Sequence, residues 1–316
     1  MDNGSLPLVS LLIPTYNRAK WIGQAIESAL QQDYPNLEII INDDCSTDNS
    51  DEIIRKYTHD PRIRYLKNEK NLGVIDNFNK LFFELAKGEW VTLLGSDDYL
   101  IHSQFISDAV KITDSYENIA LVFGKTNVIN EVTKEIKPAG TTARFDIEFR
   151  KGEEAFLDFA DNPYYSSGAV LYSIRHLVEN NIRLTGRMTA DVEMNLQLML
   201  AGNVGYIDKV CYTVRQHDHN ASIGFKDVNG LENSYLELTR FLFEKAARVV
   251  KNKNLLTGWY RKVILRNMQL CINMVLGKKD RQQTSSFHQI LRTKYRREYT
   301  WLALKNPKYP VKMILS

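Results

Sequence analysis

Over roughly the first 130 residues, short β-branched and leucine-rich runs alternate with amphipathic stretches. Residues 9–13 form the first apolar run. Trp21, Ile22, Ala25, Ile26, Ala29 and Leu30 then recur at the three-and-four spacing of one helix face. Residues 38–41 predict a second strand that ends in Asn42-Asp43-Asp44. Residues 50–57 predict a helix with Ile53, Ile54 and Tyr57 on one face, and Asp48 or Ser50 is placed to cap it. A third strand follows at 63–66. Phe78, Leu81, Phe82 and Leu85 mark a helix that ends near Gly88. Residues 90–94 predict a fourth strand, 104–115 a helix and 120–123 a fifth strand. This alternation implies a mainly parallel sheet with helices on both faces, an α/β architecture.

The pattern changes after residue 130. Residues 133–147 are polar, include Pro138 and Gly140, and read as a loop. A helix is expected at 152–159, a strand at 167–172, a helix at 192–200 and two short strands at 204–207 and 210–215. The last third, 230–276 and 284–302, reads as helical and basic, and no internal repeat is present. From residue 231 onward Lys and Arg outnumber Asp and Glu by 18 to 5, although the whole chain carries only +3. The preceding part is therefore acidic. A basic end implies an anionic partner such as a membrane surface, a nucleic acid or a phosphorylated substrate. No recognised nucleic-acid motif accompanies it, so nucleic acid is not the expected partner.

Composition excludes several classes. With 44% hydrophobic and 25% charged residues, the chain has a core to bury and no disordered tract. No run of roughly 18 apolar residues predicts a membrane span. The polar start lacks the pattern of a secretion signal, which predicts a cytoplasmic protein. Cys45, Cys211 and Cys271 are far apart and make no zinc spacing, so free thiols are expected.

Candidate chemistry lies just after three of the strands, in 14–18, 43–48 and 95–98. Singly, each cluster is ordinary turn chemistry. Together they fall at one edge of the inferred sheet, where α/β folds bind ligands. Two of them carry paired carboxylates. Adjacent like charges repel unless a cation or hydrogen-bond donors offset them, and Mg²⁺ or Mn²⁺ bound to a diphosphate is one such cation. No glycine-rich phosphate loop is present.

The segments Val9-Ser10-Leu11-Leu12-Ile13-Pro14-Thr15-Tyr16-Asn17, Asp43-Asp44-Cys45-Ser46-Thr47-Asp48 and Ser96-Asp97-Asp98 resemble the motifs of family-2 glycosyltransferases of GT-A fold. Asn71-Leu72-Gly73 and Gly88-Glu89-Trp90 match the stretch between the second and third motifs. The likeness covers about residues 7–130 and continues, more weakly, to about 222. It implies a GT-A catalytic domain over 1–228, with a nucleotide-sugar half at 1–130 and an acceptor half at 131–228. A basic helical C-terminal extension would occupy 229–316.

The resemblance also implies roles. Pro14 and Tyr16 would line the base pocket, and Asp44 would accept a hydrogen bond from the base, most often uracil. Asp97 would contact the ribose or a metal-bound water. Asp98 would hold Mn²⁺ or Mg²⁺ on the diphosphate of a UDP-sugar. His217, in Arg215-Gln216-His217, would lie near that metal. Two positions depart from the family pattern. Gly95 stands where an additional Asp is common, and Phe78 stands where an Arg touches base or phosphate. The catalytic base carried over is Asp191, in a pair whose first member is here Ala190. Glu193 is the alternative base, or an acid that only favours the helix dipole.

Tyr164-Tyr165 could face a sugar ring or belong to the core. Residues 263–276 could pack on the catalytic domain or lie in a membrane plane between basic flanks: Arg261, Lys262, Lys278, Lys279 and Arg281. Lys294, Arg296, Arg297, Lys305, Lys308 and Lys312 extend the basic surface. A peripheral site on the inner face of the membrane, with a glycan or lipid-linked saccharide acceptor, would explain this end. The expected activity is inverting sugar transfer in surface-polysaccharide assembly. Two alternatives stay open: a nucleotidyltransferase acting on a sugar phosphate, and a non-catalytic sugar- or nucleotide-binding module.

Overall fold

The computed structural model describes residues 6–139, 147–163, 168–218, 220 and 227–305. The chain divides into two compact units. One comprises Met1–Phe156, Asn162–Thr185 and Met194–Asn220; the other comprises Leu157–Asp161, Gly186–Glu193 and Ala221–Ser316.

Chain order begins β1 (Val9–Thr15), α1 (Ile22–Leu30), β2 (Leu37–Asp43), α2 (Ser50–Arg55), β3 (Ile63–Lys67) and α3 (Val74–Lys80). A π-helical turn (Leu81–Leu85) extends α3. Then come β4 (Trp90–Leu93), β5 (Tyr99–Leu100), α4 (Phe105–Ser115), β6 (Ile119–Asn130), β7 (Ile136–Pro138), β8 (Phe149–Arg150) and α5 (Gly152–Asp158). β9 (Val170–Ser173), α6 (Ile174–Glu179), α7 (Ala190–Met199) and β10 (Asn203–Gln216) follow. The chain continues through α8 (Val228–Glu232), a second π-helical turn (Asn233–Glu237), α9 (Leu238–Ala246), α10 (Lys253–Gly277), α11 (Arg281–Lys294) and α12 (Arg296–Lys305).

The first unit is built on one sheet of order β3-β2-β1-β4-β9-β6-β10-β5, with β7 on β6 and β8 on β10. Strands β3, β2, β1 and β4 are mutually parallel. β9 runs antiparallel between β4 and β6, so the sheet is mixed. β1 is buried along its whole length, as a strand covered on both faces must be. Leu11 and Ile13 of β1 and Ile39 and Ile41 of β2 share a core with Ile22, Ala25, Ile26 and Ala29 of α1. Thr15 pairs with Asp43, and Leu12 with Leu93. The carboxyl ends of β1, β2 and β4 therefore finish at one edge, and the three polar clusters leave the sheet side by side.

The strand pattern differs from expectation in several places. The two short strands expected at 204–207 and 210–215 are one strand, β10, with register shifts around Ile207 and Val210. Asp208 and Lys209 are exposed at that irregularity and break the apolar pattern. β7 lies inside the expected 133–147 loop. The two-residue β5 pairs Leu100 with Tyr212 and Tyr99 with Thr213. It is too short for a periodicity signal, yet it brings Asp98 to β10. Residues 140–146 and the aromatic pair Tyr164-Tyr165 lie outside the described residues.

The second unit is helical. Ile264, Leu265, Met268, Cys271, Ile272 and Val275 of α10 pack with Phe287, Leu291, Tyr295 and Tyr299 of α11 and its continuation. The apolar face of residues 263–276 is thus internal to this unit rather than free to lie in a membrane. The region expected to be helical over 230–276 is divided into several helices, with a break before Asn252. That side chain accepts the backbone N–H groups of Asn254 and Leu255 and starts α10 afresh. Several basic residues are internal ties. Lys262 pairs with Asp161 at 2.7 Å, and Lys294 with Glu232 at 3.0 Å. Arg266 donates to the Ala160 carbonyl at 2.9 Å.

Leu11 is fully buried in the β1–α1 core. Leu11→Ala should cost about 2–5 kcal/mol by leaving a cavity, and Leu11→Met less than about 1.5 kcal/mol. Urea midpoints of the two variants check this. Equal midpoints would show that the β1–α1 layer does not limit stability.

Candidate active site

Asp43 and Asp44 end β2 and serve different ends. Asp43 is fully buried; its carboxylate accepts the Ser46 N–H at 2.8 Å and the Tyr65 hydroxyl at 3.1 Å. It builds the turn. Asp44 Oδ1 accepts from Asn68 Nδ2 and from the Leu72 N–H, both at 2.8 Å, and Oδ2 accepts the Gly73 N–H at 2.9 Å. Three of about four lone-pair positions are used, so the Asn71-Leu72-Gly73 turn is moulded around this carboxylate. Pro14 is buried within β1 opposite Asn42, and Tyr16, just past the strand, is 43% exposed. Asn17 knits the β1 and β2 exits together. Its N–H donates to Ser46 Oγ at 2.9 Å, and its side-chain oxygen accepts the Thr47 N–H at 2.8 Å.

Asp97 and Asp98 follow β4 and are compensated separately. Asp97 Oδ2 lies 3.2 Å from Arg18 Nε and 3.1 Å from His217 Nε2. Asp98 turns toward β10: Oδ1 accepts the Arg215 N–H at 2.8 Å and Oδ2 the Tyr212 hydroxyl at 2.9 Å. Tyr212 in turn accepts the Gly95 N–H at 2.9 Å. Burial, followed by the charge of Asp97, pushes the Asp98 carboxyl up to about 7. Burial and then Asp98 itself hold the Tyr212 phenol well above its ordinary value, so it stays a donor. A β-carbon at position 95 would stand 2.7 Å from Asp98 Oδ2. The glycine that replaces the family's Asp therefore makes room for this Asp98 geometry.

His217 is fixed from two sides. Its ring stacks on Trp21 with centroids 4.2 Å apart and planes 18° apart, and its backbone N–H donates to Asn220 Oδ1 at 2.6 Å. Arg215, buried beside it, reaches Glu131 at 3.2 Å and Gln24 of α1, with its guanidinium over the Tyr99 ring. Among the described residues, no three His, Cys, Asp or Glu side chains converge into a closed metal site. The residues expected to hold a cation are Asp98, whose two oxygens accept from β10, and His217, whose ring nitrogen faces Asp97. The strained ionisation of Asp98 is what a cation would relieve. This suits a divalent ion whose other ligands are phosphate oxygens and water.

Asp191 and Glu193 begin α7 in the second unit. Asp191 is half-buried. Glu193 is only 2% exposed and pairs with Arg187 at 2.6 Å. Removing one partner of such a pair leaves a buried charge and costs several kcal/mol.

The model of the family described as "Glycosyl transferase family 2" matches residues 10–178. The chain belongs to this family. It is 30% identical over 222 residues to the chondroitin synthase of Pasteurella multocida, a match covering 69% of this chain and 22% of that one. It is 44% identical over 95 residues to the putative colanic acid biosynthesis glycosyl transferase WcaA of Escherichia coli, covering 29% of this chain and 33% of that one. The chain thus spans about a fifth to a third of these curated relatives. Among solved structures it resembles Staphylococcus aureus TarS 1-349 in complex with UDP-GlcNAc, with TM-score 0.73, 18% identity, and 92% and 81% of the two chains covered. It also resembles the mannosyltransferase PcManGT of Pyrobaculum calidifontis in complex with GDP-Man and Mn²⁺, with TM-score 0.55, 16% identity, and 99% and 87% covered. The fold of this family-2 chain is therefore GT-A.

Within this family-2 fold, Asp44, Asp97, Asp98 and His217 occupy one sheet edge. Arg18, Trp21 and Tyr212 complete it, and the sequence alone did not single them out. Arg18 stood inside the first polar cluster, and Tyr212 inside an expected strand. Trp21 belonged to a helix face, where an aromatic residue signals only packing.

The Asp98 carboxyl gives a signed pH prediction. Its value rises from the ordinary 3.8 to about 7 on folding. The stability tied to its neutral form is therefore fully present below about pH 4 and lost as pH climbs through 7. Asp98→Asn keeps the neutral form at every pH. In metal-free buffer, its melting temperature relative to the parent should rise between pH 5 and pH 8. A difference that does not change with pH would contradict the assignment.

Proposed function

We propose that this chain is an inverting glycosyltransferase that moves a sugar from a nucleotide-diphosphate donor, a UDP-sugar, to a hydroxyl of a glycan or lipid-linked saccharide. The observation that carries the reading is the pair Asp97–Asp98 at the carboxyl edge of β4, braced by Arg18, His217 and Tyr212. Asp44 and Tyr16 lie at the neighbouring strand ends, where the base would sit. The relatives named above support the donor class and a setting in surface-polysaccharide assembly. The basic surface of the helical unit suits an anionic membrane face carrying the acceptor, and among the described residues no helix is long and apolar enough to cross a membrane.

In this mechanism Asp98 and His217 would hold Mn²⁺ or Mg²⁺, which would supply positive charge to offset the departing diphosphate. Asp97 orients the donor from its Arg18 and His217 contacts. Asp191 takes the acceptor hydroxyl proton. The freed oxygen bonds to the anomeric carbon from the side opposite the diphosphate, and the carbon–phosphate-oxygen bond breaks with inversion. Asp191 is preferred to Glu193 because the pairing of Glu193 with Arg187 engages it structurally.

The test incubates the protein with Mn²⁺, a panel of UDP-sugars and mixed saccharide acceptors, and reads UDP release and product anomer by NMR. The expected result is transfer with inverted configuration. Asp191→Asn should lose about 10²–10⁴-fold in turnover, the usual contribution of a general base, with donor binding unchanged. Pyrophosphate released from UTP and a sugar 1-phosphate would instead favour a nucleotidyltransferase. Binding of donor with no turnover toward any acceptor would favour the non-catalytic module.

A further inference from the structure

The residues just ahead of Asp191 are tied to the C-terminal helices in a regular way. Arg187 Nε donates to the Asn233 carbonyl at 3.2 Å. The Met188 N–H donates to Ser234 Oγ at 3.0 Å, and the Thr189 hydroxyl donates to the Ser234 carbonyl at 2.7 Å. Three consecutive residues thus bond to two consecutive residues, by backbone and side chain alike. The Thr189 carbonyl then accepts the Glu193 N–H at 2.9 Å, which sets the first turn of α7. Glu193 in turn grips Arg187. Ser234 is only 2% exposed and stands in the second π-helical turn, a local widening that recurs at functional sites. All these residues belong to the second unit.

We propose that Ser234 and Thr189 are positioning residues that fix the direction of the Asp191 carboxylate. The helices after residue 227 are then part of the catalytic machinery rather than an appendage. This rests on the reading of Asp191 as the base. A carboxylate at the first turn of a helix takes its direction from the residues that launch the helix. Here the launch is pinned by a carbonyl and a hydroxyl of one buried serine. A misplacement of about 1 Å at a reacting group costs about 10²-fold in rate, so this clamp would act on turnover and leave donor affinity alone.

The test compares Thr189→Val, which keeps the shape and loses the hydroxyl, with Thr189→Ser, which keeps the hydroxyl. The first readout needs no substrate: amide deuterium exchange over residues 186–193 in the full chain. Thr189→Val should exchange about tenfold faster there, with exchange over residues 9–15 unchanged, and Thr189→Ser should match the parent. The second readout is turnover with the active UDP-sugar of the panel. Thr189→Val should lower kcat about tenfold at unchanged donor KM, Thr189→Ser should restore it, and adding Thr189→Val to Asp191→Asn should cost nothing more. Unchanged exchange in Thr189→Val would overturn the clamp. A full additional tenfold loss on the Asp191→Asn background would overturn its action through Asp191. Parent-like turnover in Asp191→Asn alone would remove the base assignment itself, while the exchange result would still report on the clamp.

Discussion

Two carboxylates side by side at the end of a buried strand are the constraint around which this fold is organised. Asp97 and Asp98 cannot both be ionised near the sheet without compensation. The chain divides the task. Asp97 meets cationic and imidazole partners, Arg18 and His217, while Asp98 turns to neutral donors, the Tyr212 hydroxyl and the Arg215 N–H. The result is asymmetric. Asp97 has an ion-pair partner in Arg18, while burial and the charge of Asp97 push the Asp98 carboxyl up. In the proposed function, a cation arriving with its phosphates would relieve that imbalance.

The sheet makes this arrangement possible. Flush carboxyl ends of β1, β2 and β4 bring three polar segments together although they are tens of residues apart in sequence. β5, only two residues long, then stitches the Asp97–Asp98 turn to β10 and so delivers Tyr212, Arg215 and His217 from far along the chain. Trp21 on the approach to α1 and Gln24 within it brace the same end of β10. The placement of the polar residues at this edge therefore depends on packing between α1 and β10.

Much of this was legible in sequence because strong periodicity and local turn chemistry report on the β1–β4 half directly. The clusters at 14–18, 43–48 and 95–98 could be aligned to one edge from strand order alone. The rest was hidden for physical reasons. A two-residue strand has no period to detect. An irregularity at Asp208-Lys209 looks like a turn when only the polarity pattern is visible. The role of Trp21 is set by a ring 196 positions away, and an aromatic on a helix face carries no mark of such a partner. Gly95 read as a missing acid, whereas the structure shows that its lack of a side chain admits the Asp98 carboxylate. The helices after residue 227 looked like a basic surface, but much of their apolar face and several of their cations are internal contacts.

The most direct test of the central claim is calorimetric titration of the protein with UDP, with and without Mn²⁺, in the parent and in Asp98→Ala. If the paired carboxylates form a metal–diphosphate site, UDP binding will depend on Mn²⁺ in the parent, and that dependence will vanish in Asp98→Ala. UDP binding that is indifferent to Mn²⁺, or equally Mn²⁺-dependent in both proteins, would contradict it.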